Sequence, residues 1–471
     1  MEAVNPRKGE ADYRFAPATD LEQDAVAARL RAAQPDWAAR GVQGRARALL
    51  ALADAVARHA DAIAERLSVD TGRARIAALE VAGAVASLRG WASTAPALMP
   101  VSQWQTGRTN PAIRHRNDHH PFPLVGVISP WNFPVTLSFI DTIPALAAGC
   151  AVMVKPSEVT PRFVDALEPA IAEAGLGDVL AFVRGGSAVG AGVVERVDCV
   201  CFTGSVETGR KVAIGAARRL IPAMLELGGK DPLIIGPGAD LDAASTVALR
   251  SSVLATGQAC QSIERIYVHQ ADHDAFVAAL TAKAEAVELT RQRIDQGAVG
   301  PFIDPRQATV VEAQIADAVA GGARVLCGGV VERHGGGHWM RPTVLADVTH
   351  AMSVMREETF GPVMPVMAYR DVDEAVRLAN DTAFGLSAAV FAADIDAAES
   401  IGVRLNAGAV SLQDAALTNQ YFEAAKQSFG QSGLGPSRMG AEGLLRFLRA
   451  RALIAQTGEP MPLLAYAEGD A

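Results

Sequence analysis

Cys260 stands in the stretch ATGQACQSIER (residues 255–265), just after Gly257 and just before the β-branched run IERIYV. Glycine lets the backbone turn freely, and the run after it predicts a strand. The spacing therefore puts Cys260 on a helix-to-strand loop, where a thiol is presented. A free cysteine is more commonly a small core hydrophobe, and this stretch alone leaves both readings open. Four further motifs carry groups that do chemistry. PWNFP holds Asn132 in a proline-bounded turn, as a neutral donor for an oxyanion or as the cap of a helix starting near Pro134. KPSE sets Lys155 and Glu158 three apart at a strand exit, where they can bracket a ribose or simply be solvated. TGSVETG opens a helix at Gly204 and Ser205, offering N–H groups and a dipole end to a phosphate. It is not GxGxxG, so a plain helix start remains an alternative. LELGGK sets Glu226 ahead of paired glycines, with room for a water.

The elements that must position these groups follow from periodicity. From residue 124, short β-rich runs (LVGVIS, AVMVK, VLAFVR, DCVCFTG, AMLELG) alternate with segments of helical spacing. That alternation predicts a parallel sheet with helices on both faces, binding ligands at the carboxyl ends of its strands. Each motif above follows such a run. A second α/β series follows Cys260: SIERIYV, helices over 273–287 and 306–320, ARVLCG, VMPVMAY, a helix over 371–380, LSAAVF, a helix over 394–404, and AGAVSLQ. Residues 21–95 read as two or three amphipathic helices whose charged residues form a solvated face. TNPAIRHRNDHHPFP (109–123) and RFLRARALIAQ (446–456) read as ribbons suited to pairing with another subunit. His119 and His120 are neighbours in the first ribbon and point to opposite faces, which disfavours a shared metal. GGVVERHGGGHW (328–339) reads as a surface hairpin with solvated charges.

Bulk properties exclude several classes. The 471 residues predict two or three lobes. A net charge of −9 offers no basic patch for nucleic acid. The five cysteines form no disulfide framework or zinc spacing, which suits a reducing cytoplasm. The N-terminus lacks a secretory apolar region, and IPALAAGCAVMV (143–154) is too short to span a bilayer. No metal site and no membrane partner are expected.

Taken in order, PWNFP, KPSE, FTGS, LELGGK, GQAC and EETFGPV resemble the NAD(P)-dependent aldehyde dehydrogenase superfamily, over nearly the whole chain. The spacings agree, with 23 residues from Asn132 to Lys155 and 34 from Glu226 to Cys260. The resemblance implies an α/β fold of three parts. These are a Rossmann-like cofactor domain (1–103 and 123–228), an α/β catalytic domain (229–430), and a small β oligomerisation arm (104–122 and 445–471) serving a homodimer or homotetramer. It implies Cys260 as nucleophile, Glu226 as general base and Asn132 as oxyanion donor. For NAD, with NADP also possible, it implies Lys155 and Glu158 at the adenosine ribose, and Trp131, Gly204 and Ser205 at the pyrophosphate. Glu358 and Phe360 fall at the nicotinamide ribose.

The chain departs from the family pattern in three places. SGLGPSRMG puts Ser437 where many relatives of the form SGxGRE have Glu. YFEAAKQSFG replaces a Gly-rich PFGG, and Gln413 stands for an expected Asn. Phe133, Leu137 and Ile140 share one helix face and form a mostly apolar substrate wall, with Ala259 and Gln261 beside the nucleophile and Tyr421 and Phe422 near the mouth. The expected substrate is an aromatic or medium-chain apolar aldehyde. A succinic-semialdehyde substrate, a CoA-acylating enzyme and an inactive scaffold used for binding are the alternatives.

Overall fold

The computed structural model describes residues 1–469, so the last two residues of the expected C-terminal arm segment lie outside the described residues. Its architecture is α/β, as the alternation predicts, and is built on two large sheets. The first sheet orders its strands Gly433–Leu434, Ala223–Glu226, Cys199–Thr203, Leu124–Ile128, Ala151–Lys155 and Leu180–Phe182. All pairs are parallel except Gly433–Leu434 against Ala223–Glu226. Leu124–Ile128, Ala151–Lys155 and Cys199–Thr203 are buried along their whole length. This is why they read as continuous apolar runs rather than alternating ones. Cys150, Cys199 and Cys201 are buried there as packing residues.

The second sheet has seven strands, in the order Arg324–Cys327, Thr343–Ala346, Val363–Tyr369, Ile263–His269, Asp231–Ile235, Ala388–Phe391 and Val410–Leu412. Only the first pair is antiparallel. Both sheets are flanked by helices, and the expected α/β series after Cys260 is present.

Four findings differ from the sequence reading. The N-terminal region forms four helices, Asp20–Ala39, Gly41–Arg58, Ala60–Thr71 and Ala74–Leu98, rather than two or three. Several of their charges (Arg45, Asp70, Arg73, Glu80) are buried rather than solvated. The ribbons at Ile113–Pro121 and Leu448–Gln456 pair antiparallel with each other inside one chain, with Gln105–Thr106 on the far side. In the hairpin Val331–His334/Gly337–Met340, Glu332 is ion-paired with Arg341, Arg291 and His334 rather than merely solvated. That hairpin also packs on the N-terminal segment, since a Cβ on Gly337 would lie 2.2 Å from the carbonyl oxygen of Pro6. No helix among the described residues is long and apolar enough to cross a membrane.

A linker forms a separate two-stranded sheet before it joins the first sheet. Phe429–Gly430 pairs with Phe384–Gly385, and Gly433–Leu434 then joins the first sheet beside Glu226. The linker presses on the chain beneath it at Gly408, where a Cβ would lie 1.6 Å from the carbonyl oxygen of Gln427. A side chain there must displace backbone. Gly408→Ala is expected to lower stability by ~1–3 kcal/mol, as overpacking does, and to cut turnover by moving residues 426–428. Thermal unfolding and kcat measured together check this, and wild-type values for both contradict it.

Candidate active site

The nucleophile loop is built by an abrupt stop to a helix. After Leu241–Val253, residues Ala255, Thr256 and Gly257 take left-handed φ values of 58°, 63° and 67°. For two non-glycine residues this is an uncommon conformation that needs support. Thr256 Oγ1 donates to the carbonyl of Gly300 at 3.1 Å. The Gln258 side chain accepts from the Ile303 N–H at 3.0 Å and donates to the Pro301 carbonyl at 3.4 Å. The polar residues before Cys260 are thus buried anchors, and Cys260 itself stays partly accessible on a loop.

Three of the motif loops meet backbone to backbone. A Cβ on Gly257 would lie 2.2 Å from the Gly361 carbonyl oxygen, and one on Gly229 would lie 2.8 Å from the Cys260 carbonyl oxygen. A Cβ on Gly228 would strike the Glu358 carboxylate. Glu358 also accepts from the Gly229 N–H at 3.3 Å. Behind it, Lys230 and Glu264 form a buried pair at 2.7 Å. Glu264 accepts from the Thr359 and Phe360 N–H groups, both at 2.8 Å, and so fixes the ETF turn. Burial, reinforced by Glu264, pushes the Glu358 carboxyl above the ordinary range.

Asn132 is buried and donates through Nδ2 to the Gln258 carbonyl at 3.1 Å, two residues before Cys260. One amide hydrogen is spent in this way, leaving the second unspent. Asn132 does not cap the helix Pro134–Ala148, whose N-cap residue is Phe133 without a side-chain bond. The cap comes from elsewhere in the chain. Glu80 accepts from the Val135 and Thr136 N–H groups at 3.2 and 3.1 Å. Its buried neighbour Arg73 donates to the Asn132 carbonyl and, at 3.3 Å, to the Ala255 carbonyl. One arginine therefore ties the oxyanion turn to the nucleophile loop. Burial pushes Glu80 up to about 7, against Arg73 and the helix N–H groups, and pulls Arg73 down to about 10, against Glu80.

Glu226 ends its strand half-buried and faces cations. Ser428 Oγ donates to its Oε2 at 2.8 Å. Lys426 Nζ lies 3.8 Å from Oε2, and Arg438 Nε lies 3.7 Å from Oε1. Arg438 also donates to Thr203 Oγ1 at 2.7 Å and lies 3.8 Å from Asp141. Ser437 does not reach Glu226. Its hydroxyl accepts from the Lys426 N–H at 3.0 Å and donates to the Met439 carbonyl at 3.1 Å. The departure from the family pattern therefore matters through Arg438, the next residue, and through Lys426. Burial pushes the Cys260 thiol up to about 12, and the cations of Lys426 and Arg438 oppose that rise while Glu358 and Asp231 add to it.

The residues expected to hold a dinucleotide sit at the strand exits. Lys155 is buried and donates to Glu158 Oε2 at 2.7 Å. Ser205 caps the helix Val206–Arg219 by accepting from the Thr208 N–H at 3.3 Å. Gly204 has no room for a Cβ against the Phe202 ring, at 2.5 Å. Trp131 and Phe360 meet edge to face at 5.4 Å between centroids, with Phe360 held at φ 52°. This set of a helix N-terminus, a close-approach glycine, a Lys–Glu pair and two aromatic walls fits a nicotinamide dinucleotide.

On the substrate side, Phe133, Leu137 and Ile140 are all half-buried along one helix face, and Arg73 stacks 5.2 Å over the Phe133 ring. Ala259 is buried, and the buried Gln261 accepts from Thr418, so its side chain anchors the linker. Tyr421 and Phe422 are exposed. Gln413 pairs with both backbone groups of Ala392, at 2.8 and 3.0 Å, so it staples an edge strand to its neighbour.

Sequence reasoning missed Arg73, Glu80, Lys230, Glu264, Lys426 and Arg438. A charge in an amphipathic helix or a polar linker has no local signal for burial. For Arg73 the clue was its place directly after the Gly72 that ends a helix, φ 67°.

With the geometry in place, comparison with known proteins decides the family. The model of the "Aldehyde dehydrogenase family" matches residues 1–453. The chain belongs to the aldehyde dehydrogenase family. It is therefore an oxidoreductase of the aldehyde-oxidising class. A solved structure from Anabaena variabilis, provisionally named aldehyde dehydrogenase PutA, superposes with TM-score 0.95 at 49% identity, covering 98% of this chain and 99% of that one. Lactaldehyde dehydrogenase of Escherichia coli superposes with TM-score 0.91 at 30% identity, covering 97% and 95%. A Mycolicibacterium smegmatis protein, provisionally named an NADP(+) succinate-semialdehyde dehydrogenase, is 39% identical over 433 residues, 91% of this chain and 83% of that protein. The 4,4'-diapolycopene aldehyde oxidase of a Methylomonas species is 37% identical over 416 residues, 87% and 77%.

In this aldehyde dehydrogenase the Arg73–Glu80 pair gives a direct test of how the loops are held. Arg73→Met takes the nearby cation from the buried Glu80 and the donor from the Asn132 and Ala255 carbonyls, a loss of ~1–3 kcal/mol, and frees the Asn132 turn. A shift of about 1 Å at a reacting group costs roughly 100-fold, so kcat should fall by about that much. Arg73→Met with Glu80→Met should recover much of the stability but not kcat. Urea unfolding and steady-state kinetics on the two variants check this. Recovery of kcat in the double variant contradicts the positioning role.

Proposed function

We propose that this enzyme oxidises an apolar aldehyde to its carboxylic acid with a nicotinamide dinucleotide, Cys260 acting as nucleophile, Glu226 as general base and Asn132 as oxyanion donor. The observation that carries the proposal is the meeting of the three loops bearing Glu226, Cys260 and Glu358, with Asn132 bonded to the base of the nucleophile loop. In this reading residues 1–103 and 123–228 hold the dinucleotide, 229–430 carry the nucleophile, and the ribbon at 104–122 and 445–469 serves assembly.

The residues divide the work as follows. The Cys260 thiolate attacks the aldehyde carbon, forming a C–S bond as the carbonyl pair moves onto oxygen. The free Asn132 amide hydrogen and the Cys260 N–H donate to that alkoxide. A bound nicotinamide supplies the acceptor for the hydride whose departure leaves a thioester on Cys260. Glu226 then takes a proton from water, and the resulting hydroxide adds to the thioester carbonyl. Collapse breaks the C–S bond, and the acid leaves as Cys260 becomes a thiolate again. Ser428 orients the Glu226 carboxylate for this proton transfer.

The wall of Phe133, Leu137 and Ile140 supports an aromatic or medium-chain apolar aldehyde, since Arg73, which stacks on Phe133, is spent on backbone carbonyls. The Methylomonas relative, named for an apolar aldehyde, agrees with this, while the Mycolicibacterium relative keeps succinate semialdehyde as the second reading. Glu226 supports hydrolysis of the thioester over its transfer to CoA. Assays with an aldehyde panel, with and without CoA, following reduced cofactor, separate these readings. Preference for succinate semialdehyde, or dependence on CoA, overturns the apolar-hydrolytic reading.

Two variants test the assigned roles. Cys260→Ala should abolish oxidation with dinucleotide affinity retained, and turnover above a trace contradicts the assignment. Glu226→Gln should lose the ~10²–10⁴-fold typical of a general base in deacylation alone. Rapid mixing should then show a burst of up to one reduced cofactor per site followed by slow turnover. Loss of the burst itself means that Glu226 chiefly activates the thiol.

Cofactor choice turns on Glu158. Its carboxylate disfavours a 2′-phosphate at the same ribose, with Lys155 offsetting part of the repulsion from 2.7 Å. NAD is expected to be preferred over NADP, and Glu158→Gln to narrow the kcat/KM ratio by about tenfold, as one like-charge contact does. Equal use of both by the wild type, or an unchanged ratio in the variant, contradicts this.

A further inference from the structure

Gln314 stands where the pattern of its helix calls for an apolar residue. On Pro305–Ala320 the buried positions are Ala308, Val311, Gln314, Ile315 and Ala318, so the amide lies in an otherwise apolar stripe. A buried amide is costly unless its hydrogen bonds are made. Gln314 makes them with the ETF turn. Its Nε2 donates to the Glu358 carbonyl at 3.2 Å, and its Oε1 accepts from Thr359 Oγ1 at 2.7 Å. The same turn is held from other sides. Lys230 Nζ donates to Thr359 Oγ1 at 2.8 Å, and Gln307 of the same helix donates to the Thr359 carbonyl at 2.7 Å. Glu264 accepts from the Thr359 and Phe360 N–H groups. The backbone needs that support, because φ at Phe360 is 52°, a conformation costly for an aromatic residue.

We propose that Gln314 is a positioning residue for the ribose at the nicotinamide end of the dinucleotide, acting through the Glu358–Thr359 backbone on the Glu358 carboxylate and the Phe360 ring. The inference rests on the reading of Glu358 and Phe360 as the contacts of that ribose. Gln314 is itself 3 % exposed and acts from behind the turn. In front of it, the Glu358 carboxylate accepts from the Gly229 N–H at 3.3 Å, and the Phe360 ring meets Trp131 edge to face at 5.4 Å. With an apolar side chain at 314, the Thr359 hydroxyl loses its acceptor and the Glu358 carbonyl loses its donor together. The turn is then free to leave its strained φ, and the carboxylate and the ring move with it.

Calorimetric binding of ADP and of ADP-ribose to the full-length protein tests this. The two probes share the adenosine and both phosphates, and ADP-ribose adds the ribose assigned to Glu358. Gln314→Met keeps the side-chain size and removes both hydrogen bonds. Its ADP-ribose affinity should fall about tenfold, the scale of one impaired hydrogen bond to a charged group, with ADP affinity unchanged. Thr359→Val should show the same split, and Thr359→Ser, which keeps the hydroxyl, should bind both probes as wild type does. The double variant Gln314→Met with Thr359→Val should lose little more than either single one, because both break the same chain of bonds. Wild-type ADP-ribose affinity in Gln314→Met overturns the proposal. Equal loss of both probes in Gln314→Met and Thr359→Val also overturns it, by making Gln314 a structural residue. If Gln314→Met does not fold, Thr359→Val decides by the same two outcomes. Glu358→Ala, measured in parallel, should weaken ADP-ribose alone. Unchanged ADP-ribose affinity there removes the ribose assignment and the inference with it. Loss there beside wild-type affinity in Gln314→Met leaves the assignment standing and overturns only the role of Gln314.

Discussion

At Gly229 a side chain would stand 2.8 Å from the Cys260 carbonyl oxygen, and at Gly257 one would stand 2.2 Å from that of Gly361. These contacts set the spacing of the site. Three loops from different parts of the chain touch through bare backbone, which brings the strand end carrying Glu226, the turn carrying Cys260 and the turn carrying Glu358 into one place. Any larger residue at those glycines forces the loops apart. The paired glycines of LELGGK and the glycine of TGQAC are therefore demanded by close approach, and at Gly257 also by its positive φ.

Charge does the rest of the positioning, and most of that charge is buried. Arg73 and Glu80 reach from an N-terminal helix to fasten Asn132 and Ala255. Lys230 and Glu264 fasten the ETF turn. Lys426 and Arg438 flank Glu226. Such charges are costly to bury, and for Arg73, Glu80 and Glu264 the cost is offset by hydrogen bonds to backbone groups that would otherwise be unsatisfied. A site held this way keeps its geometry without a bound ligand, which suits chemistry that depends on a donor aimed at a developing oxyanion.

The strand–helix alternation and the motif positions were legible in the sequence because they depend on local pattern. Apolar runs such as AVMVK and CVCFT read as doubly buried strands, and KPSE and TGSVETG sit at their ends. Asn132, Glu226 and Cys260 were recoverable from motif order and resemblance. The buried cations were not. Nothing in RARIAALE or EAAKQSFG separates a solvated Arg or Lys from one enclosed by a distant segment, because the enclosing residues are remote in the chain. Lys426 is enclosed beside Glu226, 200 positions earlier. The ribbons at 113–121 and 448–456 were recognised as edge-pairing strands, but their pairing with each other depended on a crossover that spacing does not reveal.

The account stands on a covalent intermediate at Cys260. Acid quenching of the full-length enzyme during turnover with NAD and an apolar aldehyde, followed by peptide mapping, tests that most directly. The account predicts an acyl adduct on the peptide containing Cys260, accumulating further when Glu226 is replaced by Gln. An adduct on Cys150, Cys199, Cys201 or Cys327 instead, or turnover with no acyl-enzyme in either protein, would contradict it.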